Sequence, residues 1–456
     1  MSIYATKFTV PEKYETEALP GALPLVNSHP KFPPYGTKTE KISGTAFVAP
    51  RNANLQTNTY RAQSSFFHTE LMPFNHDIES ANPSPPKHLD PNSHMYPNFE
   101  IDDGSDWTQQ RLFGTNGSAR TKTGVAMWIF SVTADMKPQT VFTSLDGDAL
   151  ISPQFGSLDI ITELGKLLVR AHEIAVIPRG VRYRVDLVDG EPCRGTVCEL
   201  YQGHFRIPEL GIIGSHGLAN SRDFQIPKAF FDGTVEVVND PKIPNGKLAL
   251  GKDGHSDWTI ISRLDTKLWK CTQASTPFNV LAWHGTLYPY KYDLARFSHL
   301  SNAVFDHHDP SLFVVLTAPA LGKEPNTAVC DFLAVSRRWE GSRDTQWLPW
   351  YHRNTMQEFV TLIVNNPALP LGGKDFKPFG AWLNGSMIPH GSTESEYKEW
   401  QDKDTSKGGI LMDDGLTVAM HEMETPLVLT DWAFNSARKN FKDQMEASYG
   451  AGKQTD

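Results

Sequence analysis

Short apolar segments alternate with turn residues along most of the chain, and from Val125 onward they recur about every ten residues. A first run contains VAMWIFSV, SLDIITEL, KLLVR, EIAVIP, RYRVDLV and VCELYQGHF. A second run, from about Phe278 to Trp432, contains SLFVVLTAP, AVCDFLAVS, EFVTLIVN and TVAMHEMETPLVLTDW. This spacing predicts a mainly β protein, a sandwich or barrel of antiparallel strands. We place an N-terminal β-rich domain at residues 1–275 and a C-terminal domain at residues 276–456.

Few segments have the pattern of a helix. Thr393–Lys403 is one candidate, opened by Ser or Thr, and Phe434–Gly450 is a second, ended by its glycine. Residues 1 to about 120 are expected to be rich in loops, because stretches such as Ser80–Phe99 are dominated by Pro, Asn and Ser.

Composition and charge exclude several classes of protein. The 456 residues are 39% hydrophobic and carry a net charge of −9 without a long basic run, which argues against a nucleic-acid partner. No apolar run is long enough to span a bilayer, and the N-terminal sequence lacks a secretory apolar region. The four cysteines have neither zinc-site nor disulfide-framework spacing, so we expect a reducing, cytoplasmic location.

Candidate metal chemistry lies in YHRNTMQEF, where His352 precedes Glu358 by six residues. Two histidines and one carboxylate on one face of iron(II) leave positions open for O₂ and an organic substrate. The two residues would point the same way on one strand, and a loop between them would serve as well. His390, in NGSMIPHGS, is the candidate third ligand. The alternative is a core histidine, since WLPWYHRN supplies an aromatic flank.

YHRNTMQEF and IPHG resemble the ligand segments of the homogentisate 1,2-dioxygenase family, and the resemblance covers roughly residues 20–435. Segments similar to that family follow in the same order along the chain: SGTAFVAPR, DGDALISPQFG, TELGKLLV, HEIAVIPRGVRY, GLANSRDFQIP, PFNVLAWHGTLYPYKYDL and AVFDHHDPS.

The resemblance implies a cupin-like fold, a non-haem Fe(II) and cleavage of an aromatic ring by O₂. It carries the metal ligands onto His352, Glu358 and His390, and the acid/base histidine onto His307, with His308 as a second imidazole beside it. It also implies a homo-oligomer that takes a small aromatic substrate. His284 is expected to support the site by hydrogen bonding, while His172, His204 and His216 are expected to be structural.

The chain departs from the family pattern at the positions expected to contact substrate. Asn384 stands where the family has a histidine, and Pro367 falls where it has a tyrosine. FKPFGAW replaces a glycine-rich loop, so that Phe379 and Trp382 add aromatic surface. Lys377, in the same loop, is either a solvated lysine or an amine in the iron site, where a carbamate made with CO₂ would offer an oxygen ligand.

Two further histidines are candidate extra metal ligands. His308 and His421, the latter in TVAMHEM, are polar groups close to the inferred site in sequence or by strand position. Each has an alternative as a hydrogen-bonded strand or loop histidine.

These features predict a divergent family member, similar to the anthraquinone ring-cleaving dioxygenases of fungal polyketide pathways. Its substrate would be a polycyclic phenol or quinone of secondary metabolism, because the polar contacts for a small phenolic acid are missing. One alternative is homogentisate 1,2-dioxygenase activity in tyrosine catabolism. An alternative of another class is a cupin that binds small molecules without catalysis.

Overall fold

A computed structural model of the chain describes residues 15–96, 99, 104–211, 217–233, 235–250, 256–297, 299, 310–325, 327–347, 350–364, 380–392, 394–412 and 416–438. Within these ranges the secondary structure is mainly β. The strands, in chain order, are β1 (Lys38–Ser43), β2 (Gln56–Arg61), β3 (Met72–Pro73), β4 (His94–Tyr96), β5 (Arg111–Thr115), β6 (Val125–Val132), β7 (Thr140–Ser144), β8 (Asp148–Phe155), β9 (Ser157–Thr162), β10 (Gly165–Arg170), β11 (Glu173–Ile177), β12 (Tyr183–Leu187), β13 (Cys193–Leu200), β14 (Val235–Val238), β15 (Lys247–Leu250), β16 (Trp258–Leu264), β17 (Lys267–Gln273), β18 (Val280–Gly285), β19 (Tyr290–Asp293), β20 (Val314–Pro319), β21 (Ala328–Val335), β22 (Arg338–Glu340), β23 (Gln357–Val364), β24 (Ala381–Asn384), β25 (Gly409–Leu411), β26 (Leu416–Met423) and β27 (Val428–Leu429).

Helices are short and few in the part of the chain that the structure describes. The α-helices are α1 (Glu394–Gln401) and α2 (Asp431–Arg438). The 3₁₀ turns are Pro34–Gly36, Arg51–Ala53, Glu79–Ala81, Trp107–Gln109, Ser221–Asp223, Leu294–Arg296 and Pro310–Phe313. No described helix is long and apolar enough to cross a membrane.

Three large sheets carry most of the strands. The outer sheet has the order β10-β9-β12-β7-β16-β17-β3, the middle sheet β19-β11-β8-β13-β6-β5-β27, and the C-terminal sheet β20-β21-β26-β23-β24-β4. Smaller sheets are formed by β1-β2-β18, by β14-β15 and by β22-β25. The prediction of a mainly β fold with few helices is confirmed.

Strand β6 of the middle sheet is buried on both faces, which explains why VAMWIFSV is a nearly continuous apolar run rather than an alternating one. On β6, Met127 and Ile129 belong to one core, which also contains Phe332 and Phe359 of the C-terminal sheet. Trp128, between them in sequence, belongs to the second core with the strands of the outer sheet. Alternate residues of a strand point to opposite faces, so β6 connects the two cores.

Several strands lie where the sequence predicts them. VAMWIFSV coincides with β6, and AVCDFLAVS contains β21 in full. Helix α1 lies inside the predicted Thr393–Lys403. The second helix begins earlier than predicted, at Asp431, and the part of Phe434–Gly450 beyond Arg438 lies outside the described residues. The N-terminal region contains more strand than expected, because β1 and β2 pair with each other and β18 extends that small sheet.

Candidate metal centre

Glu358 projects from the C-terminal sheet on the face away from the middle sheet. On β23 it lies directly opposite Glu422 of β26 and Asn384 of β24, and Glu422 in turn lies opposite Asp331 of β21. Residues that face each other across adjacent strands share one face of the sheet. A row of four polar side chains therefore crosses the sheet, while the neighbouring Phe359 packs into the apolar core.

The two histidines reach this row from the segments that precede β23 and follow β24. His352 and His390 form an isolated antiparallel bridge, with His352 N donating to His390 O at 3.0 Å and His390 N donating to His352 O at 2.9 Å. Of the two arrangements considered for His352 and Glu358, the structure therefore has the loop, and not a shared strand.

The approach to His390 is fixed by a tight turn. Ile388 N donates to Gly385 O at 3.1 Å, and Met387, whose φ is +59°, donates its backbone N–H to Asn354 O at 2.7 Å. A left-handed backbone at a residue other than glycine is uncommon and is retained where the surrounding contacts demand it. This turn binds the His390 segment to the loop that carries His352.

Hydrogen bonds orient both imidazoles in the same way. The Nδ1 atom of His352 lies 2.9 Å from Trp350 O, and the Nδ1 atom of His390 lies 2.9 Å from Ile388 O. A ring nitrogen that faces a carbonyl carries the proton, and this leaves the other nitrogen as a lone-pair donor. Both Nε2 atoms are thus available as metal ligands.

The three candidate ligands converge on one point. His352 Nε2 lies 3.6 Å from Glu358 Oε1, and His390 Nε2 lies 2.9 Å from Glu358 Oε2. One nitrogen or oxygen from each residue lies within 4.8 Å of the other two, and in the described ranges no other group of three His, Cys, Asp or Glu side chains meets this condition. His390 Nε2 is buried without a well-aligned hydrogen bond, as a ligand atom would be.

Two amides hold the carboxylate in place. Asn354 Nδ2 donates to Glu358 Oε1 at 2.7 Å, and Asn384 Nδ2 donates to Glu358 Oε2 at 3.0 Å. Asn354 also orders its own loop, because its Oδ1 accepts from Met356 N at 2.7 Å. Hydrogen bonds of this kind orient metal ligands and fix the direction of their lone pairs.

Burial and neighbouring groups shift the pKa values of Glu358 and Glu422 in opposite directions. Burial raises the pKa of Glu358, but interactions with His352 and His390 outweigh it and bring that pKa well below its ordinary value. The interaction with Glu358 likewise raises the pKa of His352. Burial, then the charges of Glu358 and Asp331, raises the pKa of Glu422 well above its ordinary value. These shifts favour the protonated form of Glu422 and the ionised form of Glu358.

Two of the predicted substrate residues lie beside this site. Asn384 contacts the carboxylate of Glu358 rather than only facing a substrate. Trp382, two residues away on β24 and opposite Val360, has its side chain on the same face of the sheet as Glu358. The predicted residues His307, His308, Lys377 and Phe379, and the departure at Pro367, lie outside the described residues.

Other histidines considered from the sequence lie elsewhere. His421 is opposite Phe359 on β26, so it points into the apolar core, away from Glu358, and its suggested role as a metal ligand is wrong. His284 is exposed on β18 in another sheet, which contradicts a supporting role at this site. His204 Nδ1 lies 2.5 Å from Asp148 Oδ2 and His172 Nδ1 lies 3.5 Å from Thr417 Oγ1, as expected of structural histidines. His216 lies outside the described residues.

Sequence reasoning missed two members of the site. Asn354 was visible in the quoted motif YHRNTMQEF, four residues before Glu358, and Asn side chains commonly order loops through such contacts. Glu422 gave no such signal, because its place beside Glu358 depends on the register of β23 against β26.

Comparison with known proteins identifies the family of the chain. The family models described as "Homogentisate 1,2-dioxygenase N-terminal" and "Homogentisate 1,2-dioxygenase C-terminal" match residues 4–294 and 295–452. The chain belongs to the homogentisate 1,2-dioxygenase family. Members of this family are ring-cleaving non-haem iron dioxygenases, and the predicted enzyme class is confirmed.

Relatives within the homogentisate 1,2-dioxygenase family match nearly the whole chain. The homogentisate 1,2-dioxygenase of Emericella nidulans is 40% identical over 442 residues, which cover 96% of this chain and 92% of that protein. The human protein of the same name is 35% identical and covers 93% and 90% of the two chains. A cupin 2 conserved barrel domain protein from Leptotrichia buccalis is 9% identical, covers 66% of this chain and 84% of its own, and has a TM-score of 0.26. A score this low supports no further conclusion.

Proposed function

We propose that this chain is an Fe(II)- and O₂-dependent dioxygenase that opens a ring of a polycyclic phenol or anthraquinone. The observation that carries the iron assignment is the convergence of His352, Glu358 and His390 within 4.8 Å. Two imidazole nitrogens and one carboxylate oxygen are the donor set that non-haem iron oxygenases use. When bound, iron supplies a site that holds the phenolic oxygen and activates O₂.

The protein residues would orient the reactants and manage charge. Nε2 of each histidine and one oxygen of Glu358 would hold the metal on one side, which leaves the opposite side open to substrate. Asn354 and Asn384 keep the carboxylate turned toward the histidines. We assign removal of the phenolic proton to His307, because an imidazole exchanges protons near neutral pH.

Two observations support a substrate larger than homogentisate. The Asn384 amide is engaged with Glu358, and an amide cannot exchange a proton as the family's histidine can. Trp382 shares the face of Glu358 and offers a flat apolar surface, to which we add Phe379 from the sequence. The names of the 40% and 35% identical relatives favour the alternative, homogentisate itself.

Lys377 remains a proposed additional oxygen ligand through a carbamate. Its support is the replacement of the family's glycine-rich loop, while Glu358 already supplies a carboxylate between the two histidines. Lys377→Met would separate the two roles: loss of iron and of a bicarbonate-dependent increase in activity supports ligation, and unchanged iron content rejects it.

Self-association is proposed from the family resemblance and from exposed apolar loop residues. Phe47 and Val48 are 92% and 94% exposed, and Val26 is 94% exposed, in loops that a partner subunit would cover. Sedimentation velocity of the purified chain tests this, and a monomer at micromolar concentration contradicts it.

Oxygen consumption by the anaerobically iron-loaded protein tests the proposed activity. We would compare a polycyclic hydroquinone with homogentisate and identify the products by mass spectrometry, using Glu358→Gln as the control for the metal. Ring-opened product from the polycyclic compound alone supports the proposal. Efficient turnover of homogentisate alone supports the alternative, and bound iron without oxygen consumption on either supports a non-catalytic cupin.

A further inference from the structure

The ring of Tyr351 lies between Gly391, which follows the candidate ligand His390, and helix α1. A Cβ placed on Gly391 would lie 2.6 Å from Tyr351 Cδ1 and 3.2 Å from Tyr351 Cα, so only glycine accommodates the ring there. Tyr397 of α1 stacks on Tyr351, with ring centroids 5.8 Å apart and an interplanar angle of 26°. Tyr351 directly precedes His352, and Gly391 directly follows His390.

A second aromatic pair attaches the same helix to the same segment. Trp400, one turn further along α1, contacts Trp347 with ring centroids 5.8 Å apart. Trp347 is itself fixed, because its Nε1 donates to Ser342 O at 2.9 Å. Residues three and four apart lie on one side of a helix. Tyr397 and Trp400 therefore lie on one face of α1, and this face packs against Trp347 and Tyr351, which precede His352.

These contacts cover one flank of the candidate ligand pair His352 and His390. Two backbone hydrogen bonds join His352 and His390 outside any strand, and a third, from Met387 N to Asn354 O, joins the same two segments. The His352 side chain is 34% exposed. A bridge of two residues lacks the cooperative support of a longer ladder, so its geometry depends on what packs against it. On the flank formed by Tyr351 and Gly391, the packing group is Tyr397.

We propose that α1 is a positioning element of the metal centre, in which Tyr397 acts through Tyr351 to hold the His352–His390 bridge at ligand spacing. This inference rests on the proposed iron site and extends it to a helix that supplies no ligand. Tyr397 is thus a positioning residue rather than a catalytic one. Its ring sets how long iron is retained and how the two imidazoles are oriented.

The test measures iron loss rather than turnover. Wild-type protein, Tyr397→Ala, Tyr397→Phe and Glu399→Ala would be loaded with Fe(II) anaerobically and mixed with excess chelator, and the release rate followed by absorbance. Residues outside the ligand set typically change metal affinity by about 10- to 100-fold when removed. We expect Tyr397→Ala to release iron about tenfold faster. Tyr397→Phe, which keeps the ring, and Glu399→Ala, on the exposed side of α1, should match the wild type.

Two further measurements separate positioning from a general loss of structure. The visible absorption bands of the Co(II)-loaded Tyr397→Ala variant should differ from those of the wild type, whereas the bands of Tyr397→Phe should match the wild type. Gly391→Ala, which displaces Tyr351 from the other side, should change them in the same way. If Tyr397→Ala fails to fold by circular dichroism, Tyr397→Leu takes its place.

The outcomes distinguish this inference from the function on which it rests. Wild-type protein that retains no iron overturns the proposed iron site. Wild-type protein that retains iron, together with a folded Tyr397→Ala or Tyr397→Leu variant of unchanged release rate and Co(II) spectrum, overturns the role of α1 alone.

Discussion

Asn384 and Glu358 are cross-strand partners whose side chains are hydrogen-bonded, with Asn384 Nδ2 3.0 Å from Glu358 Oε2. Asn384, which stands where the family has a histidine, therefore contacts the candidate ligand Glu358 as well as replacing an expected substrate contact. It places a neutral amide against the carboxylate ligand, opposite the amide of Asn354 on the other oxygen. Asn384 therefore helps to orient the carboxylate of the candidate metal centre.

Asn384→Ala should weaken iron binding. The variant removes one of the two amide donors to Glu358, and loss of a group that orients a ligand typically costs about tenfold in metal affinity. Competition with a chelator measures the affinity. Asn220→Ala, a remote exposed amide that caps a 3₁₀ turn, is the matched control. Equal affinities for Asn384→Ala and wild type would show that this hydrogen bond does not support the metal.

His390→Ala should abolish stabilisation by Fe(II). A ligand present at 100 times its dissociation constant stabilises the native state by about 2.7 kcal/mol, which raises the melting temperature of a protein that binds it. Without His390 only His352 and Glu358 of the converging group remain, and we expect the shift on adding Fe(II) to disappear. Differential scanning fluorimetry under nitrogen measures the shift, with exposed His284→Ala as the control. A full shift in His390→Ala would mean that the metal is held elsewhere.

His421 should make the protein less stable in acid. Burial lowers the pKa of His421 from 6.5 to about 3, and in the described part of the chain neither ring nitrogen has a hydrogen-bond partner. Between these two values the unfolded state binds a proton that the folded state does not, so the free energy of unfolding decreases as pH falls through this range. The decrease from pH 7 to pH 5 is about 2 kcal/mol.

His421→Phe removes this titration and should reduce the loss of stability between pH 7 and pH 5 by about 2 kcal/mol. Urea unfolding at the two pH values measures it. His421→Leu should behave in the same way, because only the ionisable ring matters. Variants that lose as much stability as the wild type would show that His421 is already charged or solvated in the folded protein.

The thiols should be inert in the folded protein. Cys193, Cys198 and Cys330 are fully buried, Cys271 is 6% exposed, and burial raises the pKa of Cys193 and of Cys271. Since the thiolate is the reactive form, we expect no thiol to react with Ellman's reagent in buffer and all four to react in guanidinium chloride. The Sγ atoms of Cys198, on the middle sheet, and Cys330, on the C-terminal sheet, lie 3.9 Å apart. Rapid modification of these thiols in the native protein would indicate that the two sheets separate easily.

Most strands were predictable, since their signal is local. The apolar run of β6 and the alternation of β26 both follow from side-chain periodicity, and the turn residues between runs mark where strands end. The candidate metal ligands were predicted for a different reason, because the motifs YHRNTMQEF and IPHG resemble those of a known family. Periodicity alone left His352 equally consistent with a core histidine.

The sequence left two interpretations of His421 open, a metal ligand or a strand histidine, because the register of neighbouring strands cannot be deduced from one segment. Shifting β26 by one residue against β23 would exchange His421 for Glu422 beside Glu358, and only the packing of two sheets decides between them. The contact of Tyr397 with Tyr351 was equally hidden, because it joins a helix to a loop 46 residues earlier through tertiary packing.

The sequence by itself determined the β-rich character, the family and the three candidate ligand residues, because each depends on residue types in a local order. The tertiary structure decided that His352 and His390 meet on a two-residue bridge, that two amides hold Glu358, and that His421 faces the core. The reason is that these relationships depend on register and packing between segments far apart in the chain, where the same side chains are compatible with several arrangements until the sheets close on their cores.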